Sequence, residues 1–67
     1  MTTVYVNGEA RDVPPGASVA DLVASLGLAR FRLAVEVERT LVPREAHAAR
    51  ALAEGERVEI VTFVGGG

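Results

Sequence analysis

Residues 2–13 read TTVYVNGEARDV. In residues 2–7, Val4 and Val6 fall on one side of the chain and polar or aromatic residues on the other, which is the period-two pattern of a half-buried strand. Asn7-Gly8 readily adopts the positive φ angles of a type I′ turn. The chain is therefore predicted to fold back over residues 9–13, which makes the opening an antiparallel β-hairpin.

A helix is predicted after the break at Pro14-Pro15-Gly16. Ser18 is a good N-cap, and Asp21 three residues later completes a variant of the capping box. Gly27 suits the left-handed turn that ends a helix. The apolar residues between these signals fall at i, i+3, i+4 and i+7 and form a single stripe. They are Val19, Leu22, Val23 and Leu26.

The pattern of the remaining sequence predicts three more strands, one of them short. Residues 32–38 alternate with their apolar positions inward, residues 41–43 form a brief strand that Pro43 ends, and residues 57–64 form the last strand. Residues 44–53 are rich in alanine and predict a turn or two of helix that lies shallowly on the surface.

This order of elements predicts an α+β domain. A single amphipathic helix must bury its stripe against one sheet, and the first and last strands can pair in parallel at the centre of that sheet. The predicted fold is β-grasp (ubiquitin-like), with a four- to five-stranded mixed sheet wrapping one helix. We expect the domain to occupy residues 1–64 and a flexible glycine tail to occupy residues 65–67.

Composition argues against several classes of function. A chain of 67 residues without cysteine can have neither a disulfide nor a thiol nucleophile. A net charge of -2 and 4% aromatic residues argue against a nucleic-acid-binding module. No apolar run is long enough for a membrane span, and the first residues do not form a signal peptide. We expect a cytoplasmic protein, monomeric when free, with no nucleic-acid or membrane partner.

The residue inventory predicts no catalytic site. His47 is the only histidine, and Ser18 and Ser25 have local roles in the helix, so no nucleophile–base set can be assembled. The nine carboxylates are dispersed along the chain and are expected to be solvated, as is the imidazole of His47. We therefore expect no metal site and no bound cofactor.

Three glycines, Gly65–Gly67, follow the last strand directly. Glycine has no Cβ, so such a segment can pass through a channel too narrow for other residues. We expect a free α-carboxylate on Gly67, carried on a tether of up to about 10 Å. A carboxylate is a poor electrophile, so it would need activation, most simply by ATP to an acyl-adenylate, before a sulfur or nitrogen nucleophile could attack.

The last strand is apolar on both faces near its end. A strand of this kind either is covered on each side or keeps one side for a partner. We predict a partner interface at Val61, Phe63 and Val64, next to the glycines. The alternative is that residues 44–53 cover this face.

Taken together, these features resemble the ThiS family, the ubiquitin-like sulfur carriers of thiamine (thiazole) biosynthesis. The likeness covers essentially the whole chain and includes both the Val-Pro-Arg sequence and the glycine terminus. The segments that carry it are Val6–Glu9, Ser18–Val23, Val35 with Val37, Leu41–Arg44, Glu54–Val61 and Gly65–Gly67.

The resemblance implies a protein cosubstrate and not an enzyme. In that family an E1-like adenylyltransferase (ThiF) uses ATP to adenylate the last glycine, here Gly67. A persulfide sulfur donor then converts it to a thiocarboxylate, and thiazole synthase (ThiG) takes the sulfur. Gly65 and Gly66 would enter the active sites of the partners. The alternatives are a molybdopterin-synthase-type sulfur carrier, a ubiquitin-like protein modifier, and a β-grasp binding module with a flexible end.

Overall fold

The structure is a computed structural model and describes residues 1–63. Five strands form one mixed sheet in the order β2-β1-β5-β3-β4, with one helix and one short 3-10 helix. The elements are β1 (Thr2–Val6), β2 (Glu9–Val13), α1 (Val19–Ser25), β3 (Leu33–Val37), β4 (Thr40–Val42), the 3-10 helix (Arg44–Ala46) and β5 (Arg57–Thr62). Strands β1 and β5 pair in parallel at the centre, and every other pair is antiparallel. The β-grasp prediction is confirmed; residues 64–67, which include the predicted tail, lie outside the described residues.

Two tight turns connect the antiparallel strands. Asn7 and Gly8 have φ angles of 49° and 88°, so the predicted type I′ turn is confirmed. The turn between β3 and β4 is also left-handed but has no glycine, with φ angles of 50° at Glu38 and 66° at Arg39. The Glu38 carboxylate accepts a hydrogen bond from the backbone N–H of Arg57 at 2.6 Å, which ties this turn to the start of β5.

Helix α1 has the ends that its sequence predicts. The Ser18 hydroxyl accepts from the N–H of Asp21 at 3.1 Å, and the Asp21 carboxylate accepts from the N–H of Ser18 at 2.9 Å. At the other end Gly27 has a φ of 75°, and the N–H of Leu28 bonds back to the carbonyl of Val23 at 3.1 Å, as in a Schellman motif. Since a helix of seven residues is marginal alone, packing on the sheet must stabilise it.

The core lies between α1 and the inner face of the sheet. Within residues 1–63 it contains thirteen buried apolar side chains, nine of them valine. β-Branched residues suit strands, but their small size makes the core thin. The largest fully buried side chains are Leu22, Val4, Val19, Val35, Val37 and Val58.

The prediction that residues 44–53 form a turn or two of helix lying shallowly on the surface is right in part: one helical turn forms and most of these residues are exposed, but the segment also contributes to the core. Only Arg44–Ala46 is helical, and the chain then crosses the N-terminal end of α1. Leu52 is 5% exposed and belongs to the core. Backbone hydrogen bonds fasten the segment to α1 and its approach: Val19 N–H to Arg50 O at 2.9 Å, Ala20 N–H to His47 O at 3.0 Å, and Leu52 N–H to Ala17 O at 2.8 Å.

The prediction of a solvated imidazole at His47 is wrong. The residue is 9% exposed, and its Nε2 lies 3.0 Å from the carbonyl oxygen of Val42. A buried polar group requires such a partner, and here the partner is the last residue of β4. His47 therefore has a structural role, because it joins the segment after the 3-10 helix to the sheet.

Several carboxylates near the start of β5 bind to the protein and are not merely solvated. Glu56 Oε2 lies 2.7 Å from Arg50 Nη2, and Glu56 Oε1 accepts from the N–H of Ala53 at 2.8 Å. The hydrogen bond from Arg50 is the main cause that holds the pKa of the Glu56 carboxyl below its ordinary value. Glu54 accepts from the N–H of Thr3 at 2.9 Å. Together these contacts close the turn that leads into β5.

Candidate functional site

The candidate site begins where β5 leaves the sheet toward the glycines. β5 lies between β1 and β3, but its pairing with β1 is short. The register aligns only Tyr5 with Arg57 and Val6 with Val58. Beyond that point the chain turns away from β5 into the β1–β2 hairpin. The second half of β5 therefore has no paired strand on this side.

Strand β3 continues the pairing to the end of the described chain. Ala34 is aligned with Val61 and Leu33 with Thr62. The N–H of Phe63 then donates to the carbonyl of Arg32 at 2.9 Å. The backbone is thus held on the β3 side as far as the last described residue.

The side chain of Asn7 takes the place of the missing pairing with β1. Its Oδ1 accepts from the N–H of Ile60 at 2.9 Å, and its Nδ2 donates to the carbonyl of the same residue at 3.1 Å. These are ordinary hydrogen-bond distances. The side-chain amide of Asn7 therefore makes the two hydrogen bonds to the Ile60 backbone that a residue of a neighbouring strand would make. Sequence reasoning assigned Asn7 only to the turn, because its partner is 53 residues away and no local pattern reports that contact.

We expect the Asn7 amide to stabilise the end of β5. Asn7→Asp keeps the size and tolerance of positive φ but cannot donate to the Ile60 carbonyl, so the free energy of unfolding is expected to fall by about 1–3 kcal/mol. Asn7→Gly keeps the turn and removes both bonds, so the Ile60 amide should exchange faster with solvent. Chemical denaturation and hydrogen exchange measure the two effects. Unchanged stability and unchanged Ile60 exchange in Asn7→Gly would show that the amide contributes nothing.

The outer face of the sheet, opposite α1, carries Val61, one of the three residues predicted as an interface. Val61 and Phe63 are 55% and 58% exposed, while the alternate positions Val58 and Ile60 are buried against the helix. Residues 44–53 pack on the helix side and leave Val61 and Phe63 more than half exposed, although Arg44 and Phe63 line one shallow depression. Val64 lies outside the described residues, and the binding role of all three residues stays a prediction.

Two further apolar residues are exposed on this face and were not part of the predicted interface. Leu41 is 62% exposed on β4, and Tyr5 is 42% exposed on β1. Both follow from alternation, since Val42, Val4 and Val6 point inward. Strand β4 is so short that its alternating pattern was weak evidence, in the sequence, that Leu41 faces outward.

A groove of about 230 Å³ on the helix side of the sheet offers no catalytic arrangement. Its polar lining is Arg44 and His47, and the remaining lining is apolar. The Nε2 of His47 already bonds to a backbone carbonyl. Within residues 1–63, no three His, Cys, Asp or Glu side chains cluster closely enough to hold a metal, and no helix is long and apolar enough to cross a membrane.

Comparison with known proteins identifies relatives over nearly the full chain. The model of the ThiS family matches residues 4–67. A thiazole synthase from Paramagnetospirillum magneticum is 37% identical over 64 residues, which are 96% of this chain but only 20% of that protein. The chain thus spans about a fifth of the length of this relative. The uncharacterized protein ycf40 of Porphyra purpurea is 31% identical over 65 residues, which are 97% of this chain and 92% of that protein.

The fold also matches a solved structure closely. The crystal structure of the thiamine biosynthesis protein (ThiS) from Geobacter metallireducens superposes with a TM-score of 0.81 at 30% sequence identity. The match covers 98% of this chain and 100% of that one. The similarity therefore extends over the whole domain and not over a shared supersecondary motif alone.

Proposed function

The chain belongs to the ThiS family, and we propose that it is a sulfur carrier that holds the sulfur on Gly67 and donates it to thiazole formation. The Gly67 carboxylate attacks the α-phosphorus of ATP, which releases pyrophosphate and forms an acyl-adenylate. A persulfide sulfur displaces AMP from the carbonyl carbon, and cleavage of the resulting S–S bond by a thiol leaves a thiocarboxylate. The chain is a cosubstrate in these steps, and the ATP is bound by the activating enzyme.

The observation that carries this proposal is that the family match runs to residue 67 and so includes the glycines. Two features of the chain agree with it. The absence of cysteine leaves the terminal carbonyl as the place where the chain itself could hold a sulfur atom. The predicted reactive end also follows β5, whose backbone is held by Asn7 on one side and by β3 on the other.

We propose two enzyme partners, a ThiF-like adenylyltransferase and a ThiG-like thiazole synthase, together with a persulfide donor. The thiazole synthase partner is supported by the 37% identity between this chain and part of a protein of that name. Exposed Val61 lies on β5, and exposed Phe63 follows the end of that strand toward the glycines. An enzyme that takes up Gly67 would therefore cover them at the same time.

Intact-mass measurement tests the chemistry. A chain ending at Gly67 is incubated with ATP, its cognate ThiF-like adenylyltransferase and a sulfide source, and we expect a mass gain equal to replacement of one oxygen by one sulfur. The matched control is the same chain with a C-terminal amide, which has no carboxylate to adenylate and should not change. An unchanged mass with an adenylyltransferase that converts another ThiS protein would overturn the proposal. Adducts on the lysines of other proteins would favour a protein modifier instead.

A further inference from the structure

The groove on the helix side of the sheet is open because small side chains surround it. It has a volume of about 230 Å³ and lies between α1, the approach to β3 and the segment that follows the 3-10 helix. Three of its lining residues are alanines: Ala20 on α1, Ala29 and Ala48. A methyl group fills little space, so these elements meet here without closing the gap between them. We call this surface the helix-side groove.

The other lining residues of the helix-side groove are apolar, apart from Arg44 and His47. They are Val23, which is buried, and Phe31 and Leu33, which are not. The volume is below the range of about 300–1,000 Å³ that is usual for pockets that bind small molecules or cofactors. It suits one or two apolar side chains of a protein, whose insertion would remove this lining from water.

The charge at the helix-side groove is positive. Arg44 lines it, and Cζ of Arg30 lies 5.5 Å from the centre of the ring of Phe31, which is another lining residue. Arg32 lines the adjoining depression together with Arg44. No carboxylate lines either depression, and none of the three arginines forms an ion pair within the part of the chain that the structure describes.

The nearest acidic residues along the chain lie outside the groove. Residues 22–35 contain two arginines and no carboxylate. Asp21, which precedes them, accepts the capping hydrogen bond from the N–H of Ser18. Glu45 follows Arg44 in the chain but is exposed and lines neither depression. The protein has a net charge of -2, so this is a local positive surface that attracts negatively charged groups.

His47 adds a polar atom that has no partner in residues 1–63. A carbonyl oxygen can only accept, so Nε2 of His47 donates to the oxygen of Val42, and Nδ1 is left without a hydrogen bond in those residues. Every enclosed side-chain nitrogen or oxygen there has a partner, so Nδ1 must reach the surface, and His47 lines the helix-side groove. On a side chain that is only 9% exposed, such an atom is a fixed point at which a ligand can bond.

These features differ in the occupants that they favour. A small anion would bond to arginine but would leave Phe31 and Leu33 uncovered. Nucleic acid would be repelled by the negative net charge of the rest of the protein. An acidic peptide segment fits all the features, because an apolar side chain covers the lining, carboxylates bond to guanidinium groups, and a backbone N–H can donate to Nδ1 of the neutral His47 ring.

We propose that the helix-side groove binds an acidic segment of a protein partner, which inserts an apolar side chain and places carboxylates against Arg30 and Arg44. The proposal goes beyond the proposed function. The groove lies on the other side of the sheet from Val61 and includes none of Gly65–Gly67. A protein bound here would be held by the carrier independently of the chemistry at Gly67.

A synthetic peptide tests the chemistry of the groove. The probe has Leu-Phe at its centre and three glutamates on each side, with both ends blocked. Titration followed by the amide NMR signals of the carrier measures the Kd and locates the site. We expect a Kd below about 1 mM at low salt, with the largest shifts at Ala20, Ala29 and Ala48. Absence of saturable binding would overturn the proposal.

Two further probes test the class of occupant. The same peptide with lysine in place of glutamate, and a thymidine oligonucleotide of the same length, should give no saturable shift at the groove. Equal binding of the lysine peptide would overturn the role of charge. Tighter binding of the oligonucleotide than of the acidic peptide would assign the surface to nucleic acid and overturn the proposed partner.

Ala48→Leu and Ala49→Leu are a matched pair that tests the position of the site. Both alanines are exposed and they are adjacent, but only Ala48 lines the groove. Leucine at position 48 would occupy the groove, so we expect it to raise the Kd of the acidic peptide about tenfold, while leucine at position 49 changes the Kd by less than about twofold. Equal effects of the two substitutions would overturn the proposal.

A second matched pair tests the arginines. Arg30→Gln/Arg44→Gln should raise the Kd about tenfold, and Arg11→Gln/Arg39→Gln, which removes the same charge elsewhere, should change it by less than about twofold. Equal losses would show that net charge is the cause and would overturn the proposal. All these variants alter exposed residues, so Tm should stay within about 2 °C of the original value. If the Arg30→Gln/Arg44→Gln variant unfolds, the alanine pair decides the outcome.

Removal of residues 65–67 separates this proposal from the proposed function. We expect the shortened chain to bind the acidic peptide with unchanged affinity and to form no thiocarboxylate. A Kd lowered tenfold by the removal would show that the chain's own end occupies the groove, and would overturn the proposed partner. Peptide binding by the full chain without a mass change on Gly67 would overturn the sulfur chemistry alone. Self-association in sedimentation that Arg30→Gln/Arg44→Gln abolishes would assign the groove to a second copy and overturn the partner proposed here.

Discussion

Thiocarboxylate formation is expected to slow by about a hundredfold or more when Gly66 is replaced by valine. A Cβ and two methyl groups at this position would block a channel shaped for glycine and would misplace the carbonyl of Gly67. The buried core is formed by residues between Val4 and Ile60, so Tm should stay within about 1 °C of the original value. Intact mass against time measures the rate, and the variant and the original chain are compared at the same enzyme concentration.

Deletion is a weaker test of the glycines than substitution. Removal of any one of Gly65–Gly67 produces the same chain, which still ends in two glycines. That variant tests only the reach of the tail, shortened by about 3.5 Å, and we expect it to keep measurable activity. Gly65→Val is the matched substitution, and its effect should be smaller because Gly65 precedes the terminal pair. Equal rates for Gly66→Val and the original chain would contradict a narrow channel.

Leu22→Ala is expected to lower the free energy of unfolding by about 3 kcal/mol. Leu22 is 1% exposed and is the largest of the fully buried side chains. Domains of this size are stable by only about 3–10 kcal/mol, and this core has few large side chains to compensate for a cavity. Urea denaturation at 25 °C measures the change as a lower midpoint with an unaltered slope.

Leu41→Ala is the matched control for that substitution. It removes the same atoms from a residue that is 62% exposed on the outer face, so the free energy of unfolding should change by less than about 0.5 kcal/mol. Similar losses for Leu22→Ala and Leu41→Ala would show that α1 does not pack on the sheet as the structure has it.

The elements that were predicted well have short-range signals. The hairpin follows from Asn7-Gly8, which favours positive φ in any context, and α1 follows from the mutual capping of Ser18 and Asp21 and from Gly27. Each signal depends on residues no more than a few positions apart. Alternation along β5 also predicted correctly that Val61 is exposed while Val58 and Ile60 are buried.

The features that were missed depend on distant residues. The burial of His47 requires the carbonyl of Val42 and the end of α1 to approach it, and nothing in an alanine-rich segment signals that approach. The hydrogen bonding of the Asn7 side chain to β5 requires Ile60 to lie beside it. The opposition of Glu36 and Glu59 requires the register of β3 against β5. A shift of that register by one residue would place the same two carboxylates on opposite faces.

The amino-acid sequence alone thus determines the hairpin and the helix, because backbone preferences are properties of the residues themselves, and the lack of a Cβ in the terminal glycines is the basis of the proposed chemistry. It also indicates that one face of the last strand is available to a partner. The folded structure determines that Val61 is left exposed, that Asn7 holds the strand where β1 ends, and that Glu36 and Glu59 lie opposite each other. These are contacts between segments far apart in the chain, and they exist only once the helix is packed and the strand register is set.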